Sequence, residues 1–261
     1  MRCCLITAMF VLASAPASSW VAFAQTPQQS EAVKDQKVVS PNDLTGIWAV
    51  RVPPGVPWYN YALTADEPPM TAWAEAKFKA NKPSFGPNPQ EFPNDLAYGC
   101  FPPGVPRVYA AVQAAMQIVQ VPGRVIMFFG RNVRQVYTEG RQHPQNLKPL
   151  WMGHSIGKWE GETFVIDTIG ISDRTWLDRM GHPHSDALHL VERFRRDSPD
   201  RLDLDMTIND PKAYTKAWTA QRSFRLRPPI SELGEAVCED MFINAAFRLK
   251  PMLPSTKQAG R

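Results

Sequence analysis

The chain has 261 residues, 44% of them hydrophobic and 21% charged, with 25 Pro, 15 Gly and 4 Cys. This composition excludes a disordered or fibrous chain, and the length is sufficient for one large domain or two small ones with a real core. A net charge of +4 without basic blocks, and with no recognition module in view, argues against a nucleic-acid partner.

Met1-Arg2 is a minimal positive start, followed by an apolar run from Cys4 to Leu12 and a second run ending in Ala22-Phe23-Ala24. The small residues at 22 and 24 predict a signal peptide over 1–24, cleaved after Ala24. Pro16 and the serines at 14, 18 and 19 interrupt the run, which falls short of the about 20 apolar residues of a membrane span. The expected destination is the periplasm or the exterior, with no membrane insertion after cleavage. Cys100 and Cys238 then remain, and an oxidising compartment predicts that they form a disulfide. It would close a loop of 137 intervening residues, worth about 4 kcal/mol if unstrained.

Residues 25–40 are polar without apolar periodicity and read as a flexible lead-in. Residues 41–106 hold 13 of the 25 prolines. Proline removes donors and fixes φ, so this arm cannot be central sheet, but its many aromatic residues allow it to wrap a core. Asp43 to Trp48 reads as a first strand. Pro68-Pro69 opens a helix over Thr71–Ala80, which Asn81 and Pro83 stop.

From 107 to 250 the pattern changes to short strands and tight turns, forming the body, with 251–261 a flexible tail. The predicted strands are 118–121, 125–129, 133–138, 153–158, 163–169, 188–195, 202–208 and 215–226. Consecutive strands with hairpin-length links argue for a mainly β antiparallel meander closed into a barrel or folded as a sandwich. Gly46-Ile47-Trp48 resembles the Gly-x-Trp start of lipocalin-like barrels, in which the Trp plugs one end, and this favours the barrel. Trp151 to Gly157, Trp159 to Glu162 and His184 to Arg193 are similar to an uncharacterised group of exported bacterial proteins. That resemblance implies export and a stable domain, and brings no catalytic residues.

Treated as registers, the turns place chemistry. With Glu160-Gly161 as the centre of a primed turn, His154 faces Asp167 between the pairs Ile156–Val165 and Met152–Ile169. This predicts an imidazole–carboxylate pair on a dry inner face, either a general base with its orienting acid or a structural pair. For the hairpin at Asp197–Asp200, residue numbers summing to 398 sort the faces and pair the charges: Phe194–Leu204, Glu192–Met206, Leu190–Ile208, Arg195–Asp203 and Arg193–Asp205. Glu192 then stands on an apolar face, where it must be functional or buried against an Arg.

All five histidines fall between 143 and 189. His184, Asp186 and His189 are expected to join Glu192 as polar groups supporting the acid–base pair. Tyr137, Arg141, His143, Asp173, Trp176, Asp178 and His182 are expected to line a substrate mouth. An alternative set, His182, His184 and His189, has donors suited to a metal without a recognised spacing. There is no nucleophile elbow, phosphate-binding glycine loop, dinucleotide fingerprint or CxxC pair, so no cofactor is expected. The expectation is an exported enzyme of the lyase, isomerase or hydratase type, using His/Asp acid–base chemistry on a small apolar or aromatic molecule. The alternatives are a lipocalin-like binding protein and a His-ligated metal enzyme.

Overall fold

A computed structural model describes residues 40–84, 86–110 and 115–234. The expected signal peptide, most of the expected lead-in, Cys238 and the expected tail lie outside the described residues. Nine strands form one closed barrel in sequence order: β1 (Gly46–Val50), β2 (Ala115–Val121), β3 (Arg124–Phe129), β4 (Asn132–Tyr137), β5 (His154–Glu160), β6 (Thr163–Ile169), β7 (His189–Ser198), β8 (Arg201–Asn209) and β9 (Trp218–Leu226), with β9 returning to β1. The fold is mainly β and matches a lipocalin-like barrel. The single α-helix among the described residues, α1 (Ala72–Ala80), starts at Thr71, whose hydroxyl accepts from the Ala74 N–H, and stops at Asn81.

Alternation along the strands divides inside from outside. One lateral row runs Val136–Ser155–Thr168–Leu190–Ile208, and another runs Phe164–Phe194–Leu204–Arg222. These side chains are buried and, with Trp48, Met116 and Ile118, make the core. Trp48 is wholly buried at the start of the barrel. Its Nε1 donates to the Leu44 carbonyl at 2.9 Å, and the Arg196 guanidinium lies 5.1 Å from its ring. Tyr109, on a 3-10 turn at Arg107–Tyr109, enters the barrel between Phe129, Phe194 and Phe224, edge-on to each at 5.6–6.1 Å. At that level the lumen is filled.

The β7–β8 hairpin has the expected register, from His189↔Asn209 through Phe194↔Leu204, with a bulge between Arg196 and Ser198. Two features depart from the sequence reading. β4 and β5 run parallel, joined by residues 138–153, and pair only at Val136↔Ser155 and Tyr137↔Ile156. The β5–β6 turn is centred on Gly161-Glu162, because Glu160 pairs with Thr163. Gly161 has φ +62 and Glu162 is not left-handed, which is the II′ arrangement with Gly at the first central position. His154 therefore pairs with Ile169, and Ile156 with Asp167.

Cys100 is disulfide-bonded. Its expected partner, Cys238, lies outside the described residues, so the pairing is a prediction for solution. With residues 1–24, and so Cys3 and Cys4, removed as expected, thiol titration of the denatured, unreduced chain should find no free thiol. Two per chain would contradict the Cys100–Cys238 bridge.

Candidate functional site

The short β4–β5 pairing shapes the site. Where the two strands part, a cavity of about 310 Å³ opens between Val133–Gln135 on one side and Leu150–Ser155 on the other. Gly153, at φ +67, makes the bend into β5; a Cβ there would stand 2.7 Å from Ile171 and Thr168 side-chain atoms. Leu150 and Val133 are exposed at the rim, and beside it Trp151 packs against Phe101 with rings tilted at 5.2 Å and under the Arg174 guanidinium at 4.9 Å. Tyr137 and His154 complete the wall, their rings stacked at 5.4 Å.

Behind His154 runs a hydrogen-bonded chain. His154 Nδ1 lies 2.8 Å from His143 Nδ1, His143 Nε2 lies 3.2 Å from Asp167 Oδ1, and His189 Nε2 lies 2.9 Å from the same oxygen. These residues come from β5, β6, the edge of β7 and the 138–153 connection. His154 and Asp167 share a face, as expected, but it is the outer face, and His143 stands between them. Asp167 and His189 are about 40% exposed, so the expected dry pair is corrected to a half-solvated relay. The reason lies inside the barrel, where β5 and β6 present Ser155 and Thr168 to a buried guanidinium. The apolar side chains Ile156, Val165 and Ile169 consequently fall on the outer side.

Proton positions in the chain are constrained. Facing a carboxylate, His143 Nε2 must carry hydrogen. With His143 neutral, its Nδ1 accepts, and His154 Nδ1–H donates. The lone pair is then on His154 Nε2, which makes no hydrogen bond among the described residues. Two hydrogens cannot occupy the Nδ1–Nδ1 contact, so the two rings hold at most one extra proton while it lasts. The His154 pKa is held below the ordinary histidine value by partial burial, then by the positive charges of His143 and Arg141. Arg141 lies 3.8 Å from the Tyr137 ring centroid and pairs with Glu139. Tyr137, Arg141 and His143 are thus brought to one place, as the sequence suggested.

Inside the same wall is a second polar group that sequence reasoning reached only through Glu192. Arg134, fully buried, donates through Nε to Ser155 Oγ at 3.1 Å and through Nη1 to Tyr109 Oη and Glu192 Oε1, each at 2.8 Å. Its Nη2 donates to Thr168 Oγ1 at 2.8 Å and to Glu192 Oε2. All five N–H donors are matched. Burial opposes the Arg134 charge, but Glu192 overcomes it and holds the guanidinium ionised; burial drives the Tyr109 phenol upward. Glu192 is therefore corrected from an acid–base role to the counter-ion of Arg134. Arg134 escaped detection because Val133 and Val136 sit three apart, on opposite faces of β4, and conceal which face is inner.

The other expected site residues separate. His182 Nδ1 lies 2.6 Å from Asp178 Oδ2 and its Nε2 2.7 Å from Glu67 Oε2, while its ring stacks on Phe78 of α1 at 4.5 Å. His184 contacts Thr175 Oγ1 at 2.7 Å and the Ser185 carbonyl at 3.0 Å, and burial lowers its pKa. Asp186 is exposed and pairs with Lys212, Asp173 is exposed, and Trp176 is buried against Arg107. His182, His184, Asp186, Asp173, Trp176 and Asp178 thus do not line the cavity. His182, His184 and His189 engage different partners, and no cluster able to hold a metal occurs among the described residues. The alternative metal set is corrected accordingly.

His182 instead fastens the Pro-rich arm to the 172–184 loop, and this has a pH signature. Burial lowers its pKa, but Asp178 and Glu67 outweigh burial and raise it to about 9 from 6.5. A folded value above the unfolded one stabilises fully below pH ~6.5 and is lost as pH rises through about 9. The loss should be on the order of 3 kcal/mol. Denaturant melts between pH 6 and 10 should show this decline in the wild type and a flatter profile in His182→Gln.

Comparison of the chain with family models, with curated proteins and with solved structures finds no match.

Proposed function

We propose that this protein is an exported enzyme of the lyase, isomerase or hydratase type, moving a proton on a small aromatic or apolar molecule held between β4 and β5. The observation that carries this reading is the chain His154–His143–Asp167, which ends at a His154 ring on the cavity wall. A neutral Nε2 lone pair at a cavity is what a general base requires. When His154 Nε2 takes a proton from substrate, its Nδ1 hydrogen can pass to His143, so the positive charge comes to rest beside the Asp167 carboxylate. His189, donating to the same carboxylate oxygen, fixes its position. Val133, Leu150, Trp151 and Tyr137 provide the apolar and aromatic walls for the substrate body. The reaction chemistry in this reading comes from side chains alone.

A carrier using the barrel lumen is the weaker reading, because Tyr109 fills the lumen at its own level. Enzyme and carrier separate in one experiment. Small aromatic and alicyclic carbon acids are incubated with the protein in D₂O, and deuterium uptake is read by mass spectrometry. Catalysed exchange that is lost in His154→Gln supports the enzyme. Tight binding with no exchange above the uncatalysed rate would replace it with a carrier.

A further inference from the structure

A second and larger cavity lies away from the relay, on the outer face of β7–β9 beneath the Pro-rich arm. Its volume is about 630 Å³, within the range of ligand pockets of about 300–1,000 Å³. The floor is the outward row of β8 and β9, with Asp203 and Asp205 beside Ser223, Gln221 and Thr219. The arm supplies the wall through Trp58, Tyr59 and the segment Leu63–Asp66. Nothing in the proposed acid–base chemistry uses this groove.

The hydrogen-bonding state of the floor defines what would fit. Gln221 Nε2 donates to Asp205 Oδ1 at 2.7 Å, and the pair holds its amide and carboxylate planes together. Asp205 Oδ2, Gln221 Oε1 and the Thr219 hydroxyl have no hydrogen-bond partner among the described residues. The Ser223 hydroxyl oxygen is buried without a partner, a state that costs about 1–3 kcal/mol unless something in the groove satisfies it. An apolar ligand would leave all these groups unpaired.

Charge excludes a strongly ionic ligand. Arg195, Arg201 and Arg222 are balanced by Asp66, Asp203 and Asp205. Moreover, Arg201 is already held by Asp203 at 3.0 Å, and Arg222 is spent on the backbone carbonyls of Ala62, Leu63, Tyr109 and Gln221. The groove thus offers donors and acceptors without net charge, facing an indole. Sugars have this complementary form: hydroxyls around the ring edge and an apolar C–H face that stacks on aromatic rings. We infer that the groove between the arm and β8–β9 is a binding site for a neutral oligosaccharide, with Gln221, Asp205, Thr219 and Ser223 reading hydroxyls and Trp58 stacking on one ring.

The test uses the full exported chain and four defined probes: cellotriose, maltotriose, mannotriose and the trimer of N-acetylglucosamine. Saturation-transfer NMR should show saturable binding of at least one probe. Gln221→Ala and Thr219→Ala, both exposed and expected to fold normally, should each weaken it about tenfold, and Trp58→Ala should weaken it further. His154→Gln should leave it unchanged, because that residue borders the other cavity. Binding of none of the four would overturn the inference. So would binding that survives Gln221→Ala and Thr219→Ala intact, or binding lost in His154→Gln, which would assign the sugar to the β4–β5 cavity.

Discussion

His154→Gln should lower turnover by about 10²–10⁴-fold while leaving the melting temperature near the wild-type value, since proton transfer by a positioned side chain contributes on that scale. Gln keeps the length of the side chain and can still donate to His143, but it has no lone pair of useful basicity. Asp167→Asn should give a smaller loss. It removes the charge that stabilises the His143 imidazolium while leaving an oxygen to orient the ring, and at 40% exposure solvent takes over part of its electrostatic role. His189→Gln should cost least, because it only positions the carboxylate. The pH profile gives an independent reading. With the His154 pKa held below 6.5, kcat/KM should stay flat through neutral pH and fall only on the acid side of 6.5. A limb rising well above pH 7 would place the base elsewhere. The same variants would behave differently if the chain were structural: melting would drop in each, and turnover of the surviving protein would not.

Much of this was legible from hydrophobic periodicity and turn chemistry, and the exceptions have identifiable causes. Strands β3, β6 and β8 lie within a residue of expectation. The β7–β8 register follows from two conditions met together at a short turn: Phe194, Leu204, Leu190 and Ile208 fall on one face, and Arg195 and Arg193 stand opposite Asp203 and Asp205. The β5–β6 register misleads by one position on each strand, because Gly161 suits either central position of a primed turn and only the backbone shows it taking the first. Side-chain parity survives such a slip, so His154 and Asp167 still share a face. The sign of that face was not legible. Ile156, Val165 and Ile169 read as core, yet the barrel directs Ser155, Gly157 and Thr168 inward, because Arg134 requires hydroxyl acceptors and Phe164 and Val136 occupy the space a side chain at 157 would need. The sequence places His143 at the mouth, but its position between His154 and Asp167 depends on how residues 138–153 fold back. No periodicity encodes that path, and the parallel β4–β5 pairing that results from it opens the cavity.

The largest expected effect on stability belongs to the buried guanidinium behind that cavity. Glu192→Gln should destabilise the fold by about 3–5 kcal/mol, the range for removing one partner of a buried ion pair. For a domain of this size the melting temperature should fall by roughly 6–20 °C. The cause is the charge left behind: Arg134 and Glu192 are no more than 1% exposed, so neither can turn to water, and a neutral amide returns little of the carboxylate's attraction. Arg134→Met should cost a comparable amount for the converse reason, and it also leaves the Tyr109 hydroxyl without its donor. The double change Arg134→Met with Glu192→Leu, set against the single changes Arg134→Met and Glu192→Leu, discriminates. It removes both charges and leaves Ser155 and Thr168 bonded to each other at 3.0 Å, so its loss should be well below the sum of the two single losses, by several kcal/mol in a double-mutant cycle. Additive losses would mean that the two side chains act through packing alone. Coupled losses would mean that the charges interact directly, so that Glu192 holds Arg134 in place where it borders the β4–β5 cavity with Ser155. In that case Glu192→Gln should also loosen ligand binding at the cavity while leaving the His154–His143–Asp167 chain on the outer face in place, which histidine ¹⁵N chemical shifts would report directly.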